Sequence, residues 1–201
     1  MDTKTEIDFI KSIVDKTNQR IDAQGFHVVH WGLIVLIWYP LSNYLQDLEM
    51  YGAMIGLGVG SAILGGVLSA VRAVKASGRL PGENTFISGQ LMKVVFGTLG
   101  AGMILTGVAP TTGWIQGPNV PILWGLVHAN LAFMIGVVCS RDFVIAGIAI
   151  FLGSIAAMFL QPYQGYILGP VMGLGMIVPG MRAEARVKAL LAETQADGAT
   201  V

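Results

Sequence analysis

The chain reads as all-α: a polytopic transmembrane bundle of six spans, preceded by a short amphipathic cytoplasmic helix, with both termini inside. Three observations predict it. Six apolar runs are each long enough to cross about 30 Å of hydrocarbon, which takes roughly 20 helical residues. The runs are continuous rather than alternating, and an open sheet cannot satisfy its backbone in lipid. All twelve Lys and Arg residues fall on one side once the gaps between runs are numbered. The even gaps and both tails hold Lys4, Lys11, Lys16, Arg20, Arg72, Lys75, Arg79, Arg141, Arg182, Arg186 and Lys188. Lys93 lies near the inner end of its run, close enough to snorkel to the headgroups. The odd gaps carry only Asp47 and Glu49. Cationic loops are retained in the cytoplasm during insertion, so the asymmetry sets the orientation.

Composition fits that class. Hydrophobic residues make up 54% and charged residues 12% of the chain, about half the charged share of a soluble domain. A formal net charge of zero offers no field for nucleic acid. The start, MDTKTEIDF, lacks the basic and apolar regions of a signal peptide. A single cysteine, Cys139, excludes an intrachain disulfide and any CxxC metal site.

Residues 1–25 form the first region. Within it, Thr3 and Glu6 fit a capping box, and Ile7, Ile10, Val14 and Ile21 recur at helical spacing, predicting a helix over 3–22. Its charges nearly cancel, so it is expected to pack on the cytoplasmic face of its own bundle, or on another protein, rather than to seek lipid. The transmembrane region, 26–181, contains spans near 26–46, 51–73, 89–109, 121–140, 143–161 and 165–181. Aromatic residues support the orientation independently. Tyr39, Tyr44, Tyr51, Tyr163, Tyr166, Trp38, Trp114 and Trp124 map to the outer ends, where amphipathic rings prefer the headgroup level. The last region, 182–201, begins with the basic stop Arg182, Arg186 and Lys188. It is expected to stay helical for two or three turns and to fray after Glu193.

The histidines are the candidates for a cofactor. His27 and His30 share a helix face, and His128 lies in the fourth span. A rise of 1.5 Å per residue puts His30 about 6 Å inside the cytoplasmic boundary and His128 about 10 Å inside the outer one, leaving an axial offset of about 14 Å. Side-chain reach could barely bridge that gap to a haem or metal. No cofactor or metal is therefore assigned, and no catalytic residue. No Asp or Glu lies within a span, which weighs against a proton-coupled mechanism. G-x-S-x-G, Walker A and H-E-x-x-H are all absent, so hydrolase and ATPase readings have no support.

Small residues carry more information. Gly52, Gly56 and Gly60 make consecutive G-x-x-x-G steps in the second span, with Ser61 and Gly65 on an adjoining face. Such steps let helix backbones approach closely. The second and third spans are thus expected at the centre of the bundle or at a dimer seam. A 3+3 inverted repeat is also legible. Trp31-Gly32-Leu33 matches Trp124-Gly125-Leu126, Gly60-Ser61 matches Gly153-Ser154, and the glycine-rich 100–107 matches 173–180. A repeat of this kind would place a polar midplane site at Ser61, Asn130 and Ser154, with Pro40 and Pro170 breaking their helices.

The polar helix running into Gly25-Phe26, then Trp31-Gly32, and the closing Gly175-Met176-Ile177-Val178-Pro179-Gly180-Met181-Arg182 together resemble a loose group of uncharacterised bacterial six-span membrane proteins. The resemblance implies a bacterial inner membrane location and no established activity. The functional expectation is a non-enzymatic packing, assembly or regulatory component. Its partners are the lipid bilayer and either further copies of itself or another membrane protein. The alternatives are a small transporter or channel for a neutral or weakly polar solute, and a haem- or quinone-associated subunit.

Overall fold

A computed structural model describes residues 3–22, 25–76, 86–108, 112–113 and 119–198, with side chains except at 3, 14, 16–22, 73, 76, 86–88, 107, 139, 191 and 193–198. The described chain is all-α. The helices are α1 (Thr3–Asp22), α2 (Gly25–Asp47), α3 (Tyr51–Ala76), α4 (Phe86–Val108), α5 (Val120–Cys139), α6 (Arg141–Phe159) and α7 (Gln164–Gly198). A 3-10 turn, Gln161–Tyr163, joins the last two. Helices α2 to α7 are each long and apolar enough to cross a membrane, so the protein is a polytopic membrane protein. Helix α1 packs against α7.

The centre is built by α2, α5, α6 and α7. Ile150, Leu168, Met172 and Ser154 are the largest of its fully buried side chains, and Ala157 is buried with them. What brings these helices together is glycine. On α7, Gly165, Gly169 and Gly173 recur every fourth residue and face α2. A Cβ on Gly173 would stand 2.6 Å from Leu36 Cβ, one on Gly169 2.5 Å from Pro40 Cδ, and one on Gly25 2.6 Å from the Gly180 carbonyl. On α6, a Cβ on Gly147 would stand 2.7 Å from the Phe133 backbone nitrogen of α5. Such separations leave no room for a side chain, so backbone packs on backbone. Between α5 and α6 the chain reverses at one extended residue, Ser140, whose hydroxyl caps α6 by accepting from Asp142 N–H at 3.3 Å.

Three expectations are corrected. The second and third spans are not central. Among its described side chains α3 buries only Gly65, and α4 only Leu91 and Gly102. A Cβ on Gly52, Gly56 or Gly60 would meet nothing within 4 Å. Secondly, Pro40 and Pro170 do not break their helices; both lie inside continuous ones. Pro40 deprives the Leu36 carbonyl of its usual donor, and the side-chain-free surface of Gly169 lies against that region of α2. Thirdly, α7 remains helical to Gly198, past the expected fraying point. At 1.5 Å per residue its 35 residues span about 52 Å, well beyond a hydrocarbon core of about 30 Å.

The two halves also pack inequivalently. Gly32 lies against α7, at Gly173 and Met176, whereas its sequence match Gly125 lies against Ser154 of α6. Gly153 packs on Val171, whereas its match Gly60 faces open space. At these two positions the matched glycines do not face matched helices.

Candidate functional site

The densest polar arrangement inside the spans lies where α3 leans on α2. His30 is buried at 7% exposure. Its Nδ1 lies 3.0 Å from the Phe26 carbonyl oxygen, and its Nε2 lies 2.9 Å from Ser69 Oγ and 3.2 Å from the Gly65 carbonyl oxygen. A carbonyl only accepts and a neutral ring carries one N–H: with the proton on Nδ1 the ring donates to Phe26 and Nε2 accepts the Ser69 hydroxyl, and with the proton on Nε2 it donates to Gly65 or Ser69. Ser69 Oγ in turn accepts from the Trp31 indole N–H at 3.2 Å. The relay links indole, hydroxyl, imidazole and backbone, and it crosses from α2 to α3 and back.

Around this relay the α2–α3 contact is an aromatic ladder on small residues. A Cβ on Gly65 would stand 2.8 Å from both Trp31 and Ile34, and one on Gly58 would stand 3.0 Å from Trp38. At the inner end the Arg72 guanidinium sits 4.8 Å from the Phe26 ring centroid, a cation–π contact. His27 and His30 are edge-on neighbours with centroids 5.9 Å apart.

His128 takes no part in that cluster. Its Nδ1 donates to the Trp124 carbonyl of its own helix at 2.8 Å, and its ring lies 5.5 Å from that of Trp124. Trp124 in turn covers Gly102 of α4. The three histidines therefore occupy two seams, α2–α3 and the α5 side facing α4. Among the described residues no three His, Cys, Asp or Glu side chains converge as a metal-ligand set.

The midplane trio is likewise dispersed. Ser154 is fully buried and donates to Ile150 O at 2.8 Å in its own helix. Ser61 donates to Gly58 O at 2.9 Å in its own helix. Asn130 is exposed, and among the described residues its amide N–H reaches only Met134 Sδ, at 3.5 Å. Of the expected packing glycines, Gly65 meets α2 and Gly52, Gly56 and Gly60 do not.

Two further polar joints were not anticipated. At one end of the spans, Asn43 of α2 donates to Pro162 O at 3.0 Å and accepts from Gly165 N–H at 3.0 Å, tying α2 to the start of α7. Beside it, Gln164 Oε1 is buried without a hydrogen-bond partner among the described residues. At the other end, Asp142 of α6 takes Arg182 Nη1 at 2.5 Å and Arg186 Nη1 at 3.2 Å from α7. The i, i+4 spacing of the two arginines was the available signal for that joint, since it puts both on one helix face.

No family model, curated protein or solved structure matches this chain. The resemblance expected from the terminal motifs thus rests on the six spans, and no family is identified.

Proposed function

We propose that this protein is a non-enzymatic assembly component of a bacterial inner membrane, and that α3 is the face it offers to other transmembrane helices. The observation that carries the reading is a contrast between two glycine stripes of identical spacing. Gly165, Gly169 and Gly173 of α7 are filled by α2, while Gly52, Gly56 and Gly60 of α3 are open. Lipid tails gain little from a smooth glycine surface, whereas a helix backbone can approach it closely. Around the stripe, Ile55, Val59 and Ile63 are exposed at 62%, 55% and 62% and supply apolar walls for such a helix.

The one-sided Lys and Arg distribution supports cytoplasmic termini. Exposed tyrosines favour the same orientation, since Tyr44, Tyr51, Tyr163 and Tyr166 all sit at the end of the bundle opposite α1.

The test is the size of the complex extracted in mild detergent. Wild-type protein should migrate on a native gel well above a micelle holding one 21.3 kDa chain. Gly56→Leu, which fills the stripe, should reduce the size of that species. A wild-type protein that already runs as one chain would end the assembly reading.

A further inference from the structure

Asn130 occupies an unusual place. It is the eleventh residue of the 20-residue helix α5, so at 1.5 Å per residue it lies about 15 Å from either end, in the middle of the hydrocarbon. It does not face the core. With Phe133 and Val137, which are 44% and 67% exposed, it forms an i, i+3, i+7 stripe on the outside of the bundle. A carboxamide has two N–H donors and an oxygen with two lone pairs. Among the described residues its only hydrogen bond goes to a thioether sulfur, a weak acceptor. Acyl chains supply neither donor nor acceptor, so in lipid the group is left without its bonds.

We propose that this face of α5 is covered by a second copy of the chain, with the two Asn130 carboxamides paired across a two-fold axis normal to the membrane. The argument for that occupant is complementarity combined with depth. Copies inserted in the same orientation place Asn130 at identical depth, and a two-fold axis along the membrane normal brings equivalent residues together. A carboxamide is self-complementary: each side chain donates one N–H to the other's oxygen, and both groups lose their deficit at once. Phe133 and Val137 then pack on their symmetry mates along the same seam. The inference deepens the assembly reading by naming one partner, but it uses a different helix from the open stripe of α3.

The experiment is a count of chains in lipid nanodiscs by native mass spectrometry, on the full-length protein. Wild type and Asn130→Gln, which keeps the carboxamide, should both be dimeric. Asn130→Leu should weaken association about tenfold, the effect of losing interhelical hydrogen bonds in a membrane, while its circular dichroism stays helical. Disulfide trapping adds a geometric check. In a Cys139→Ser background, Val137→Cys on the same seam should cross-link to a dimer on oxidation, and Phe151→Cys on the exposed side of α6 should not. A wild type that is monomeric, or a dimer that Asn130→Leu leaves unchanged, would overturn the proposal. Loss of association in Gly56→Leu but not in Asn130→Leu would support the α3 face and remove this one, whereas loss in Asn130→Leu but not in Gly56→Leu would remove the α3 face and keep this one.

Discussion

At the scale of single residues, function-relevant chemistry here consists of polar groups solving their own bonding problem in a low-dielectric medium. His30 is the clearest case: both ring nitrogens are engaged, and Ser69 links it to Trp31. Because the relay joins two helices, its removal should loosen α3 specifically. Ser69→Ala is expected to cost about 1 kcal/mol, the usual worth of such a bond between membrane helices. Read by thermal melting, the loss should be shared by Trp31→Phe, which lacks the indole donor. A double variant no worse than either single one is the expected sign that both act through the same relay. The sequence shows His27 and His30 on one face, but not Ser69, because which residue of α3 stands opposite His30 depends on the antiparallel register of two helices. Asn130 and Ser154 show the same gap. Both read as midplane polar residues, and only the packing distinguishes a buried hydroxyl bonded to its own helix from an amide turned outward.

At the scale of elements, existence and length were readable and use was not. The six spans follow from apolar length, and the ends of α2, α5 and α6 fall within a few residues of expectation. The glycine stripes of α3 and α7 share the same four-residue step, and step alone cannot say which is filled. What decides is the opposing helix: α2 presents Gly32, Leu36 and Pro40 to α7 in register, and α3 meets α2 instead through Gly58 and Gly65 on another face. Prolines mislead too: α2 continues through Pro40, which lies against Gly169 of α7. The consequence is a sharp asymmetry between two chemically identical changes. Gly173→Leu must displace the α2 backbone and is expected to cost about 3 kcal/mol or more. Gly56→Leu projects into open space and should leave the melting of the detergent-dispersed single chain within about 0.5 kcal/mol of wild type. Equal losses in the two variants would mean that α3 is packed as tightly as α7.

At the scale of the whole molecule, the protein is a compact group of four helices with two more attached at its flanks. α3 is held mainly through α2, and α4 mainly through α5. α1 touches α7, α4 and α5 while leaving Ile7, Phe9 and Ile10 exposed, so its apolar face is only partly used by its own bundle. This distribution, tight within and open at the periphery, is the one on which the proposed assembly role rests. Site-specific photo-cross-linking from position 59, on the exposed wall beside the open stripe, tests it most directly in intact membranes. A photoreactive residue at Val59 should give a discrete protein–protein adduct, lost when Gly56→Leu is added to fill the stripe. Adducts to lipid alone, from a correctly inserted protein, would contradict the claim.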